Sequence, residues 1–97
     1  MATYIVLAKF TDQGIRKVKD SPKRAVAAKE LSTKFGVTMK DIYWTLGQYD
    51  MVTIFEAEND AAMAAFGLAI GTAGNLSFQT LPAFTKEEIG GILGKLG

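Results

Sequence analysis

Tyr49 and Asp50 stand side by side in Thr45-Leu46-Gly47-Gln48-Tyr49-Asp50-Met51-Val52, at the middle of the chain where two strand-like runs meet across a turn. A phenol next to a carboxylate on such a turn can orient or polarise a small ligand, or trade a proton with it. The same pair also serves structure: an aspartate beside a turn accepts backbone N–H groups, and a tyrosine packs with its hydroxyl at the rim. A second group is Arg16, Lys17, Lys19, Lys23 and Arg24, gathered where the first long helix should begin. Helix N–H groups and basic side chains together suit phosphate or carboxylate, although long basic side chains more often face solvent. There is no G-x-G-x-x-G or Walker pattern to sharpen that reading. Glu56, Glu58, Asn59 and Asp60 have the chemistry for a hard cation, but helix capping and the helix dipole already account for acidic residues there, and no metal is expected. Tyr4 and Trp44 complete the candidate ligand-binding set of Tyr4, Arg24, Trp44, Tyr49 and Asp50, around a pocket between helix and sheet or between two sheets.

Composition removes much of catalysis. The chain has no cysteine and no histidine, so disulfides, thiol nucleophiles, Ser-His-Asp and Cys-His constellations and the common zinc sites are absent. No cofactor is expected. With 97 residues, 48% of them apolar and 22% charged, the sequence fits one domain over 1–97 with a single small core. Residues 1–40 hold nine Lys/Arg against three acids, and residues 41–97 two against seven, so the halves are of opposite sign. Such asymmetry suits an anionic ligand or head-to-tail docking, and plain solubility as well. The whole domain is far from basic enough to suggest nucleic acid, and Met51-Val52-Thr53-Ile54-Phe55 lacks the Lys/Arg-Gly-aromatic pattern of RNA-binding sheets. Residues 61–85 carry no charge, yet Thr72, Asn75, Ser77, Gln79, Thr80 and Pro82 interrupt that stretch, so no membrane span is expected. With no signal segment either, the expected location is cytoplasmic.

These side chains need elements to hold them. Alternation predicts strands over Thr3–Phe10, Met39–Leu46, Met51–Glu56 and Leu76–Leu81, the last ending at Pro82. A single helical turn is expected over Ile15–Lys19. Ser21 as N-cap and Pro22 at the first helical position predict a helix to Phe35 with Gly36 as its stop, its inner face carrying Ala28, Leu31 and Phe35. A second helix is expected from Asn59 or Asp60 to Ala73, with Gly74-Asn75 ending it. Thr85 and Glu88 have capping-box spacing and Phe84 and Ile89 that of a hydrophobic staple, predicting a C-terminal helix with Ile89, Ile92, Leu93 and Leu96 in a stripe. Gly90, Gly91 and Gly94 weaken it, so it should hold only when docked. The order β-α-β, β-α-β is the split βαβ, ferredoxin-like arrangement of an α+β fold, with the second and third strands an antiparallel hairpin around Gly47–Asp50.

Two helices cover one face of a four-stranded sheet. Here both faces carry apolar residues: Tyr4, Val6 and Phe10 on one side of the first strand, Ile5 and Leu7 on the other, with Tyr43 or Trp44 and Val52 or Phe55 added by the hairpin. A face of about 350 Å² is already in the range where an exposed apolar patch marks contact, so a second copy of the chain is the expected partner.

The chain resembles the GYD-domain family over nearly its whole length. The resemblance rests on Thr3–Leu7, Phe10-Thr11-Asp12-Gln13-Gly14-Ile15, Lys19, Ser21-Pro22-Lys23-Arg24, Thr45-Leu46-Gly47-Gln48-Tyr49-Asp50, Gly74-Asn75 and Phe84-Thr85. The name-giving motif carries Gln48 between its glycine and tyrosine. What the resemblance implies is a dimeric ferredoxin-like fold of the α/β-barrel type, and no particular activity. Three functions stay open: a homo-oligomer binding a small ligand near Gly47–Asp50, a cofactor-independent oxygenase- or isomerase-like enzyme using Asp50 or Tyr49 as acid or base, and a purely assembling module.

Overall fold

In the computed structural model, which describes residues 1–97, the chain runs β1 (Ala2–Phe10), α1 (Asp12–Arg16), a 3-10 turn (Val18–Asp20), α2 (Ser21–Lys34), β2 (Val37–Trp44), β3 (Met51–Ala57), α3 (Asp60–Gly71), β4 (Leu76–Ala83), α4 (Lys86–Leu93) and a last 3-10 turn (Gly94–Leu96). The strands form one antiparallel sheet in the order β2-β3-β1-β4, the ferredoxin-like topology expected from the alternation. No helix is long and apolar enough to cross a membrane.

The period of two divides the sheet into two faces. Tyr4, Val6 and Ala8 of β1, Val37 and Met39 of β2, and Met51, Thr53, Phe55 and Ala57 of β3 are buried beneath α2 and α3. From above, α3 contributes Met63 and Phe66, and Ala28, Leu31 and Phe35 of α2 pack against the same cluster, as their helical spacing predicts. Phe66 meets Phe55 nearly edge-on at 5.3 Å between ring centres and Phe35 at 6.2 Å. Such aromatic geometry adds about 0.5–1.5 kcal/mol per pair beyond area burial.

Several boundaries differ from the sequence reading, each for a local reason. β2 starts at Val37 and ends at Trp44, because the chain turns at Gly36 and Thr45 already closes the hairpin by donating its N–H to Asp50 O at 2.8 Å. The strand expected to reach Leu46 therefore stops at Trp44, and Leu46 is fully exposed. An irregularity between Met39 and Asp41 shifts the parity of β2, so that Met39 and Ile42 both reach the core. β4 continues through Pro82 to Ala83; as an edge strand it has an outer side with no ladder bond for proline to remove. α3 ends at Gly71, short of Ala73. α1 begins earlier than expected, because Thr11 caps it by accepting the Gly14 N–H at 3.1 Å. Ser21 is not the N-cap of α2 but its first residue; it is 3% exposed, and its hydroxyl accepts Trp44 Nε1–H at 3.0 Å.

Two sequence blocks far apart in the chain meet at one joint. Thr11 N–H donates to Asn75 O (3.1 Å), Thr11 Oγ1 to Gly74 O (2.6 Å), and Gln13 Nε2 to Ala73 O (2.9 Å) and Asn75 Oδ1 (3.0 Å). Gly14 is buried against the same turn: a Cβ there would stand 2.0 Å from Asn75 O. Close approach of two backbones is what requires glycine at this position.

At the other end of the chain, the expected capping box is formed: Thr85 Oγ1 accepts Glu88 N–H (3.1 Å) and Glu88 Oε1 accepts Thr85 N–H (2.9 Å). The backbone N–H holds the Glu88 carboxyl below the usual range. Every residue from Phe84 to Gly97 is nevertheless exposed, and the molecule measures 52 Å along its longest axis. α4 stands off the body.

Candidate functional site

The β2–β3 hairpin is built around Gly47, whose φ of 101° suits glycine and is rare for any residue with a side chain. Asp50 fastens this hairpin to the end of β1. Its carboxylate Oδ2 accepts Phe10 N–H at 2.9 Å, its own N–H donates to Ala8 O at 2.8 Å, and Thr45 Oγ1 donates to Tyr49 O at 2.6 Å. Tyr49 crosses the sheet on the side away from the helices. Lys9 Nζ sits 5.5 Å from the centre of its ring, and its hydroxyl donates to Gln79 Oε1 of β4 at 3.2 Å. A cation over an aromatic face is worth about 0.5–1 kcal/mol at such an exposed position. The polar atoms of this pair are thus engaged in joining three strands at one end of the sheet.

The other candidates lie elsewhere. Tyr4 is 2% exposed on the helix side, and its hydroxyl donates to Asp60 Oδ1 at the start of α3. That bond, then burial, then the Asp60 charge push the Tyr4 pKa up from 10 to about 12. Because the unfolded tyrosine ionises first, the contribution is complete below about pH 10 and is lost as pH rises through about 12. Thermal melts of wild type and Tyr4→Phe should therefore differ by a constant amount at neutral pH, and the difference should shrink across that window. Trp44 is bound to Ser21 near the start of α2. Arg24 Nη2 donates to Lys17 O (2.9 Å) and Gly14 O (3.4 Å), while Arg16, Lys17, Lys19 and Lys23 are exposed. Of the acidic group, Asn59 caps α3 by accepting Ala62 N–H at 2.9 Å and Asp60 receives Tyr4.

Two further features of the surface and interior bear on binding. The first is a cavity of about 270 Å³ between α2, α3 and the inner sheet face, lined mainly by apolar residues such as Val6, Met39, Phe55, Met63, Phe66 and Phe78. Of the five candidate ligand-binding residues, only Arg24 lines it. Close-packed interiors rarely leave so large a void.

The second is the outer sheet face. Strand pairing aligns Leu81, Ile5 and Ile54 in one row and Gln79, Leu7, Val52 and Tyr43 in the next. Ile5, Leu7, Val52, Ile54 and Leu81 are all partly accessible, and Tyr43 is 54% exposed. Lys9, Tyr49 and the Lys40–Glu56 ion pair (3.9 Å) rim this patch. The two-sided apolar pattern is thus present, with no element of the chain over the second side.

A family model described as GYD domain matches residues 4–93. A curated protein of Thermus thermophilus, named glutamine synthetase and cystathionine beta-lyase binding protein, is 37% identical over 90 residues, which is 92% of this chain and 95% of that protein. No solved structure matches the chain at a comparable level of significance.

Proposed function

The chain belongs to the GYD-domain family, and from that premise we propose that it is a protein-binding module that acts as a homo-oligomer and performs no chemistry of its own. The observation that carries this reading is the uncovered apolar outer face of the sheet, together with the exposed helix α4. The face alone offers roughly 350 Å², less than the ~800 Å² per partner of a stable interface. The arm supplies further apolar surface through Phe84, Ile89, Ile92, Leu93 and Leu96, which are 38–81% exposed. In the assembly, the outer faces of two copies pack together and each arm reaches onto its neighbour. An amphipathic helix of eight residues interrupted by two glycines is stable only with that support.

The relative's name favours a protein rather than a metabolite as the external partner, and its high coverage supports proposing the same class of partner here: enzymes such as glutamine synthetase and cystathionine beta-lyase. Asp50 and Tyr49 serve this reading by stiffening the hairpin end of the interface. A ligand at the hairpin itself has less support, since the polar atoms there are already paired. Sedimentation at micromolar concentration should give a dimer or larger species, and biolayer interferometry with each purified enzyme should give saturable binding. A single sedimenting chain, or no response to either enzyme, would defeat the corresponding half of the proposal.

A further inference from the structure

We infer that the cavity between the helices and the sheet is a binding site for a small monocarboxylic acid with a compact apolar body. An apolar cavity of roughly 150 Å³ already takes up a benzene-sized molecule in preference to water, and this one is about 270 Å³. That volume suits a single ring or a medium-length alkyl chain. The choice of head group comes from how polarity is distributed along the walls. Arg24 is the sole charged residue lining the cavity. It lies at the α1 end, where Gly14 O accepts its Nη2–H and where Gly14 abuts Asn75, another lining residue. Both side chains can donate hydrogen bonds. Phe55, Met63 and Phe66 form the opposite end, and the strand register places Thr53, Val6 and Thr80 in a row between the two.

Arg24 is held by Lys17 O and Gly14 O through Nη2, which fixes the guanidinium; Nε–H and Nη1–H, on opposite edges of the group, remain to donate one hydrogen bond each to an anionic acceptor. A charge-assisted hydrogen bond from such an N–H to a carboxylate is roughly twice as strong as a neutral one. One positive charge balances one negative charge, which favours a monocarboxylate over a phosphate ester. The site is lined by one chain and does not depend on self-association.

The test compares octanoate, octan-1-ol and octylamine, read by Trp44 fluorescence, because Trp44 is bound to the lining residue Ser21, and by thermal shift. Octanoate should bind and raise the melting temperature, with octan-1-ol and octylamine weaker by about 10- to 100-fold, the usual contribution of a charge-assisted pair. Arg24→Gln should weaken octanoate to the level of octan-1-ol, and Lys29→Gln, an exposed charge on the same helix, should leave it unchanged. Filling the cavity by Ala28→Leu should abolish uptake of all three. Octanoate should bind the open-face variant Ile54→Lys as it binds wild type, so failure of the oligomer leaves this site standing. Equal affinity for octanoate and octan-1-ol in the wild type, undiminished binding by Ala28→Leu, or no uptake of octanoate at millimolar concentration would each overturn the inference. The head-group comparison needs no variant, so it decides the matter even if Arg24→Gln does not fold.

Discussion

Replacing Gly14 by alanine is expected to cost about 3 kcal/mol or more, the upper end of what overpacking usually does. The added methyl would sit 2.0 Å from Asn75 O and 2.9 Å from Asn75 C, and both are backbone atoms that no rotamer change can move. Relief requires α1 and the α3–β4 turn to separate. Separation breaks the bonds from Thr11 and Gln13 to Ala73, Gly74 and Asn75, four in all. For a domain of this length the melting temperature should fall by roughly 12–24 °C. Gly71→Ala is the internal comparison: a Cβ there meets nothing within 4 Å, so it should be neutral or stabilise by up to about 1 kcal/mol. Circular-dichroism melts of the two variants measure both. A Gly14→Ala protein melting with the wild type would mean that the joint is looser than its geometry.

The second large effect is on assembly. Ile54 lies at the centre of the outer face, between Ile5 on one side and Asp41 on the other. Ile54→Lys would put a charge into the apolar centre of that face, with only the exposed Asp41 of the flanking strand beside it, and in a two-fold interface each substitution counts twice. With a cost of about 3–5 kcal/mol for one uncompensated buried charge, dissociation should become at least roughly 1000-fold easier. The isolated chain should keep its fold, because that face touches none of its own helices. Sedimentation should therefore show single chains with an unchanged far-ultraviolet spectrum, whereas Ile54→Val should stay assembled. Wild-type assembly in the lysine variant would place the contact elsewhere.

Both results turn on residues whose roles were legible to different degrees. The strands of β1 and β3, the stop after α2 and the capping box of α4 could be read directly, because each depends on side chains within a few positions of one another. Alternation in Tyr4–Ala8 and Met51–Phe55 places every second residue on one face whatever lies above it. The boundaries of β2 and β4 were less legible. A shift of one residue at Lys40–Asp41 and the position of β4 at the sheet edge, which lets Pro82 stay in the strand, are properties of pairing rather than of local pattern.

The candidate residues separate in the same way. Tyr49 and Asp50 are neighbours in sequence, and the turn keeps them together. Tyr4, Trp44 and Arg24 share only their chemistry with that pair, and the fold distributes them among three places: the Asp60 contact, the Ser21 contact and the cavity wall. Gly14 belongs to a block that carries the family resemblance, which does not disclose why it must be glycine, since Asn75 lies 61 positions away in the chain.

Taken alone, the amino-acid sequence determined the order of elements, the two-sided apolar sheet, the family and the absence of thiol and imidazole chemistry, because periodicity, capping and composition act over short range. Only the tertiary structure decided which apolar face stays uncovered, which polar groups are already bonded, and that a cavity with one arginine remains beneath the helices. Those outcomes depend on contacts between residues far apart in the chain, set by strand register and by how closely backbones approach, and no local pattern encodes them.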